Sequence, residues 1–412
     1  MATRWLAAIA LSALSLMTSG CGAIKAPASA GRGGNRLTIY SSLPLRGEDG
    51  PTSRQIVNGE RLALAHIGHR IGDLTIDYVS LDDDEPGSWV QGPGAAAANA
   101  SAAAKDPSTI AYLGDFGSAE TAISLPLTNA AGILQISPAS PYIGLTSETD
   151  AGQDEPGRFY PTGRRTFARL QSGDPAQAQA QIHLMRSLHA HRVYVLDDQN
   201  PFRTPLAKLV TLDASRVGID VAGHDSIPIT AESQYSGEIE KILASHAQAV
   251  FIAAEAGAGA VALWEQLNRA DPQLLLLGAD VMTSARFTSK LSGAASSRTH
   301  LTTPVLATAL YPRSAQRVLK VARKDYGGEV NAYLLYGYEA MTVVLDAIRR
   351  AGAQGNARQR VIELFFAEKH RNSVLGPYSI RADGETTLAR YGADRIAGGR
   401  AVFDHSIDLG GG

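Results

Sequence analysis

From Arg36 onward the chain alternates short apolar runs with helix-length amphipathic segments, and it does so twice; no other feature limits the fold as strongly. In the first series residues 37–42, 74–80, 109–113 and 133–137 read as buried strands, with helices at 53–66, 95–105 and 119–131 between them. A strand, a helix-length crossover and another strand imply right-handed connections and a mostly parallel sheet. The second series has strands at 192–196, 219–223, 249–252 and 274–277, and helices at 175–188, 205–217, 235–245 and 258–269. The two series are similar α/β units without a residue-level repeat.

The last third makes no third unit. Residues 314–326, 333–351 and 358–366 read as helices, the second marked by the stripe Val343, Val344, Ala347 and Ile348; 376–380 and 401–403 read as short strands. Material this modest completes the two earlier units. The expected organisation is a first lobe over 36–170 completed by about 308–376, and a second over 171–307 completed by about 377–405, with 406–412 as a tail. A chain that leaves one lobe, builds another and returns creates a cleft spanned by hinge strands, and closure of such a cleft around a ligand is a standard transition.

Residues 1–20 read as an export signal: Arg4, an apolar run over 5–17, then Thr18, Ser19 and Gly20 ahead of Cys21. The run is short for a membrane span. Cys21 is the only cysteine in the chain, so no internal disulfide forms. Its place resembles the bacterial lipobox, in which the cysteine is lipidated and becomes the mature N-terminus, although Thr18 stands where Leu is usual. Residues 21–35, rich in Ala, Gly, Ser and Pro, suit a flexible tether from anchor to fold. The formal charge of −2 argues against nucleic acid or an anionic membrane surface as the main partner.

Catalytic signatures are few. There is no HExxH, and the pairs His66/His69 and His189/His191 lack the i, i+4 spacing of a helical zinc site. Gly117-Ser118-Ala119 lacks the nucleophile-elbow spacing. Asp82-Asp83-Asp84-Glu85 reads as a solvated loop, with no glycine-spaced calcium loop after it. Gly257-x-Gly259-x-x-Ala262 follows a strand and opens a helix as a dinucleotide fingerprint does, but it lies late in the second unit with Glu255 at its mouth, where a pyrophosphate would be repelled. No catalytic residue, metal or cofactor is expected. What remains is a set of polar groups at strand C-termini, where open α/β sheets bind ligands. Ser118 and Ser140 lie at neighbouring strand ends in the first unit and suit a carboxylate, or serve as caps. Asp198, Glu255 and Asp280 end strands in the second, and any one of them suffices for an ammonium group.

Several of these pieces occur in an ordered set: Ser42-Leu43-Pro44-Leu45-x-Gly47, Asn58-Gly59-Glu60-x-Leu62-Ala63, Tyr112-Leu113-Gly114-Asp115-Phe116-Gly117-Ser118 and Ile136-Ser137-Pro138-Ala139. The set continues with Arg192-Val193-Tyr194-Val195-Leu196-Asp197-Asp198, Leu277-Gly278-Ala279-Asp280, Tyr336-Gly337-Tyr338-Glu339-Ala340 and Gly376-Pro377-Tyr378-Ser379-Ile380 with Asp383-Gly384. With it the chain resembles, over most of its length, the solute-binding lipoproteins of branched-chain amino acid ABC transporters, which have the type I periplasmic-binding-protein fold. The resemblance implies two Rossmann-like lobes and a small amino acid, carboxylate or amide as ligand. It also implies a membrane permease as partner, a monomeric lipid-anchored protein outside the cytoplasmic membrane, and no catalysis. Ser118 and the Ala139/Ser140 turn would grip a ligand carboxylate through hydroxyl and backbone N–H groups. An acid at or near Asp280, with Glu255 the neighbouring candidate, would meet the amine, and Leu45 and Phe202 would line the pocket. Phe202-Arg203 stands where the family usually has Tyr-Gly, and Arg46 replaces a small residue, so the preferred ligand differs from leucine, isoleucine or valine. A ligand sensor on the same fold and a nucleotide-dependent enzyme built on Gly257/Gly259 are the alternatives.

Overall fold

The computed structural model describes residues 34–84, 94–231 and 233–410. The export signal, Cys21, most of the tether and Glu85 lie outside them. Among the described residues no helix is long and apolar enough to cross a membrane.

The first series forms β1 (Arg36–Leu43), α1 (Gly50–His66), β2 (Arg70–Ile71), β3 (Leu74–Asp82), α2 (Gly94–Lys105), β4 (Thr109–Gly114), α3 (Ser118–Ala130), β5 (Leu134–Ser137) and β6 (Phe167–Arg169). The second forms α4 (Asp174–Ser187), β7 (Arg192–Asp197), α5 (Thr204–Arg216), β8 (Asp220–Ser226), α6 (Ser236–Ala244), β9 (Ala249–Ala253) and α7 (Ala258–Ala270). It ends with β10 (Leu275–Gly278), α8 (Ala285–Thr288), α9 (Gly293–Arg298) and β11 (Thr299–Thr303). The remainder supplies α10 (Arg313–Tyr326), α11 (Tyr333–Ala351), α12 (Arg358–Ala367), β12 (Arg371–Ser373), β13 (Gly376–Tyr378), β14 (Arg390–Ala397) and β15 (Arg400–Asp408).

One sheet has the order β2-β3-β1-β4-β5-β6 and the other β15-β14-β11-β10-β9-β7-β8. Their parallel parts, β3-β1-β4-β5-β6 and β8-β7-β9-β10-β11, share one doubly wound order. Each reverses direction once, between β1 and β4 and between β7 and β9, and such switch points are where ligands settle in open α/β sheets. The strands β4 and β9 are buried along their whole length, as continuous apolar runs covered on both faces require.

The C-terminal third divides between the sheets. In α10, Ala315, Val318, Leu319 and Ala322 recur at helical spacing and are buried with α11 in the first core, as are Tyr378 and Ile380. Helix α11 lies directly on α1: a Cβ on Gly59 would fall on the Leu334 carbonyl oxygen, and one on Gly337 on that of Ile56. Only glycine permits this backbone-to-backbone approach. The chain then returns to the second sheet through β14, a strand that sequence reading missed, and β15, which extends well beyond the expected 401–403 and takes in residues 406–408 of the supposed tail. Both strands are antiparallel, mix charged with apolar residues and join at Gly398-Gly399, each with positive φ.

The chain passes between the sheets three times, and hydrogen bonds tie the crossings together. Ser172 donates to the Leu388 carbonyl, Tyr391 to that of Ser172 and Tyr336 to that of Pro304. Arg169, fully buried at the end of β6, pairs with Glu385 of the third crossing at 2.7 Å.

Candidate interlobe ligand site

Loops at the strand C-termini of the two sheets meet across the lobes, each contact joining a loop at one switch point to a neighbouring strand-end loop of the other sheet. Tyr142, after β5, packs edge-on against Phe202, after β7, with centroids 5.1 Å apart. Glu48, after β1, accepts hydrogen bonds from Ser284 and from the backbone N–H (2.6 Å) and Nε (2.6 Å) of Arg286, after β10. Burial works to raise the Glu48 carboxyl, but these donors outweigh it and hold it below its ordinary range.

On the first-lobe side, Ser118 is the first residue of α3, and its hydroxyl accepts the Tyr142 N–H at 3.2 Å. The N–H groups of Ala139 and Ser140, expected to hold a carboxylate, both turn onto Ser137 Oγ, at 3.1 and 2.9 Å. The Ser140 hydroxyl is fully buried among the carbonyl oxygens of Asp115 and Gly117 and the Thr121 hydroxyl, so it braces the loop. Arg169 adds to this bracing by donating to the carbonyls of Ser140 and Tyr142. Leu45 is half-buried, its N–H on Asp82 and its carbonyl under Arg54. Arg46 pairs with Asp82 at the end of β3 and with the Asp84 carbonyl just after it.

Glu120, which sequence reading passed over, lies in the first turn of α3 beside Ser118. Its carboxylate folds back over Gly117, where any Cβ would strike it, and accepts its own backbone N–H in the first turn of α3. Burial raises its carboxyl, and Glu255 and Asp49 raise it further. Asp49 is likewise raised, first by burial and then, against the attraction of Arg286, by Glu255 and Glu48. Beneath these groups lie two buried acids, Asp83 and Asp115. Both are held well above the carboxylate range, Asp83 by burial and the charge of Asp115, Asp115 by burial and the charge of Glu120, against hydrogen bonds from Ser42 to Asp83 and from Tyr112 and Ser124 to Asp115.

On the second-lobe side the acids are partnered. Asp198 accepts the N–H groups of Asn200 and Glu255, which makes it a turn former. Glu255 pairs with Arg203 and lies 3.9 Å from Arg286. Asp280 opens a 3-10 turn and accepts from Gln177 at 3.1 Å; burial raises its carboxyl. Tyr333, at the start of α11, stands against Phe116 with centroids 5.9 Å apart, and burial together with Asp280 and Asp49 raises its phenol. Gly259 of the fingerprint has another explanation: a Cβ there would meet the Ile229 carbonyl oxygen at 2.7 Å, so close loop packing demands glycine. Asp82 and Asp83 hold the end of β1 and the segment after it, through the Leu45 N–H and the Ser42 hydroxyl, and the described residues hold no group of three or more potential metal ligands.

A cavity of about 760 Å³ lies elsewhere, by Arg36, Tyr40, Arg61, Asp77 and Tyr326. It contains none of the strand-end loop groups, so the facing polar groups mark the site better than cavity size does. A second cavity of about 480 Å³ touches the loop only at Leu45.

A family model described as periplasmic binding protein matches residues 39–393. Among solved structures, a leucine binding protein from Thermotoga maritima superposes with a TM-score of 0.72 at 20% identity, covering 90% of this chain and 99% of that one. A branched-chain amino acid transporter substrate binding protein from Streptococcus pneumoniae, in complex with isoleucine, gives 0.70 at 16% identity, covering 91% and 99%. An ABC transporter solute binding protein from R. palustris, in complex with benzoate, gives 0.68 at 15% identity, covering 91% and 97%. At these identities the likeness shows a shared fold. No curated protein matches the sequence.

Proposed function

We propose, from the premise that the chain belongs to the periplasmic binding protein family, that it is the extracytoplasmic solute-binding component of an ABC importer. The family is one of binding proteins, not of enzymes. The observation that carries the reading is the meeting of strand-end loops from the two sheets, with Tyr142 against Phe202 and Glu48 against Arg286. A solute held there touches both lobes, and only contacts made with both can favour closure. The closed form then docks on a membrane permease. The solute is amino-acid-sized, an amino acid or a related carboxylate or amide, which fits the resemblance and the isoleucine and benzoate held by the structural relatives. Ser118, Phe202, Glu255 and Asp280 remain the proposed contacts, now with Asp49, Glu120 and Tyr333.

The test is a thermal-shift panel on the full chain with aliphatic amino acids, amides, amines and aromatic acids. A solute at about one hundred times its Kd stabilises by about 2.7 kcal/mol, a readily measured rise in Tm. A shift with one class, accompanied by a smaller radius of gyration, is the expected result; no shift and no compaction would overturn the reading. Anchoring through Cys21 is part of the same proposal, and Cys21→Ala should release the protein from the membrane fraction.

A further inference from the structure

Ile39 and Leu43 of β1 and Ile76 of β3 are buried beneath α1, and among them Ser41 and Ser80, register partners in the two strands, set two hydroxyls side by side. Glu60 meets them from α1, fully buried, and Tyr78 of β3 donates to its Oε2 at 2.5 Å. Ser41 lies beside both Glu60 and Tyr78, and Ser80 beside Tyr78. Yet the Oγ atoms of Ser41 and Ser80 and the Oε1 atom of Glu60 are buried without a hydrogen-bond partner among the described residues. Buried polar atoms are almost always paired, so three such oxygens around one tyrosine call for a common partner.

The charge of Glu60 calls for one too. Glu60 forms no ion pair among the described residues; Arg61, whose charge it feels, is exposed and lies 6.0 Å from the centre of the Tyr78 ring. Burial pushes the Glu60 carboxyl up to about 8, against the pull of Tyr78, Ser41 and Arg61, so a bare carboxylate is not sustained there. Such a group takes either a proton or a cation. A proton on Oε1 serves one neighbouring oxygen, whereas a small hard ion is shared by the carboxylate and the serine hydroxyls together. One carboxylate balances one positive charge, and the remaining groups are hydroxyls, which favours a monovalent ion over calcium or a transition metal. Ser80 also lines the cavity of about 480 Å³ beside Pro51 and Asn58, which gives the group a route to solvent. Arg54 and Arg61 line the same cavity, so the affinity is modest.

We infer that Glu60, Ser41 and Ser80 form a site for a sodium-sized monovalent cation beneath α1, with Tyr78 holding the second carboxylate oxygen. The site is separate from the interlobe cleft and independent of the solute. An ion there ties α1 to β1 and β3, so it acts on the stability of the first lobe.

The test compares thermal unfolding of the full chain at about pH 8 in sodium chloride and in choline chloride at equal concentration, which holds ionic strength fixed. Sodium at about 100 mM should raise the Tm by about 2–4 °C, with a dependence on concentration that saturates, and caesium, too large for the site, should not. The sodium NMR line should broaden in the presence of the protein. Glu60→Gln should remove both effects without lowering the Tm in choline. Ser41→Ala and Ser80→Ala, which keep the carboxylate, should each weaken the sodium dependence severalfold, and they carry the test if Glu60→Gln fails to fold. Equal Tm values in sodium and choline with no line broadening would overturn the inference and leave Glu60 a buried protonated acid. A sodium response that survives Glu60→Gln, or both serine substitutions together, would overturn the assignment of the ion to this site.

Discussion

On the second-lobe wall of the cleft, Asp198 is held by two backbone N–H groups, Glu255 by Arg203 and Asp280 by Gln177. On the first-lobe wall, Glu120 has only its own N–H, Asp49 has no hydrogen-bond partner among the described residues, and Asp83 and Asp115 crowd together below. The two walls are built on the same strand order and occupy equivalent switch points. Strand order therefore decides where a site forms, while the loop residues decide which charge it accepts. A carboxylate with a partner is a fixed part of the scaffold; one without is available to a solute.

The largest expected effect comes from Arg169, the one buried cation behind the first wall, which is turned away from the cleft toward Glu385 and the loop carbonyls. Arg169→Met leaves those partners buried and unpaired and should cost about 3–5 kcal/mol in urea unfolding. A loss below about 1 kcal/mol would mean that the loop behind the first wall is braced without it.

The acid pair beneath that wall comes next. Asp83 and Asp115 hold protons in the folded state at pH values where the unfolded chain, with carboxyls near 4, has released them. The folded state thus binds more protons, and stability should fall as pH rises from about 4 through neutrality. Asp83→Asn keeps an acceptor for Ser42 and should remove on the order of 2 kcal/mol of that decline. Unfolding midpoints measured from pH 4 to pH 8 check it; parallel curves for the two proteins would refute the assignment of the decline to Asp83. Glu60, buried under Tyr78 in the same lobe and pushed up to about 8, contributes a decline of the same sign, so Glu60→Gln should flatten the curve further.

Arg203→Gln makes the second wall resemble the first by leaving Glu255 without its nearest cation. Both side chains are partly exposed, so stability should change by at most about 1 kcal/mol. The informative readout is binding: an amine of the thermal-shift panel should bind severalfold more tightly, and an unchanged Kd would show that Glu255 lies outside the solute's reach. Smallest of all, Glu48→Gln weakens the contact with Arg286 that spans the lobes. Stability should move by less than about 1 kcal/mol, while solute affinity drops a few fold and loses part of its dependence on salt.

The strand and helix pattern of both series was legible because burial imposes local periodicity. Continuous apolar runs such as Thr109–Gly114, and the stripe in α10, can be read within a dozen residues. Strand β14 was not, because Arg390, Asp394 and Arg395 interrupt its apolar alternation and it relies on antiparallel pairing with β11 and β15. The site was legible as a set of strand ends: Ser118, Phe202, Glu255 and Asp280 all lie at the loops where the sheets reverse or end. Glu120 was overlooked two residues from Ser118, although Glu at that helical position is a recognised first-turn signal. No pattern in the chain shows whether such a side chain folds over its own helix or points into solvent.

By itself, then, the sequence determined two doubly wound units, the return of the chain between them and the loops from which a ligand site is made. Those properties follow from short-range spacing of apolar residues and turn formers. Only the tertiary structure decided which charges cancel. Arg203 meets Glu255 and Glu48 meets Arg286 across 52 and 238 residues of chain, while Asp49 and Glu120 form no ion pair of their own among the described residues. Charge pairing acts through space and leaves no periodic trace along the chain, so the sign of the site emerges only when the lobes are brought face to face.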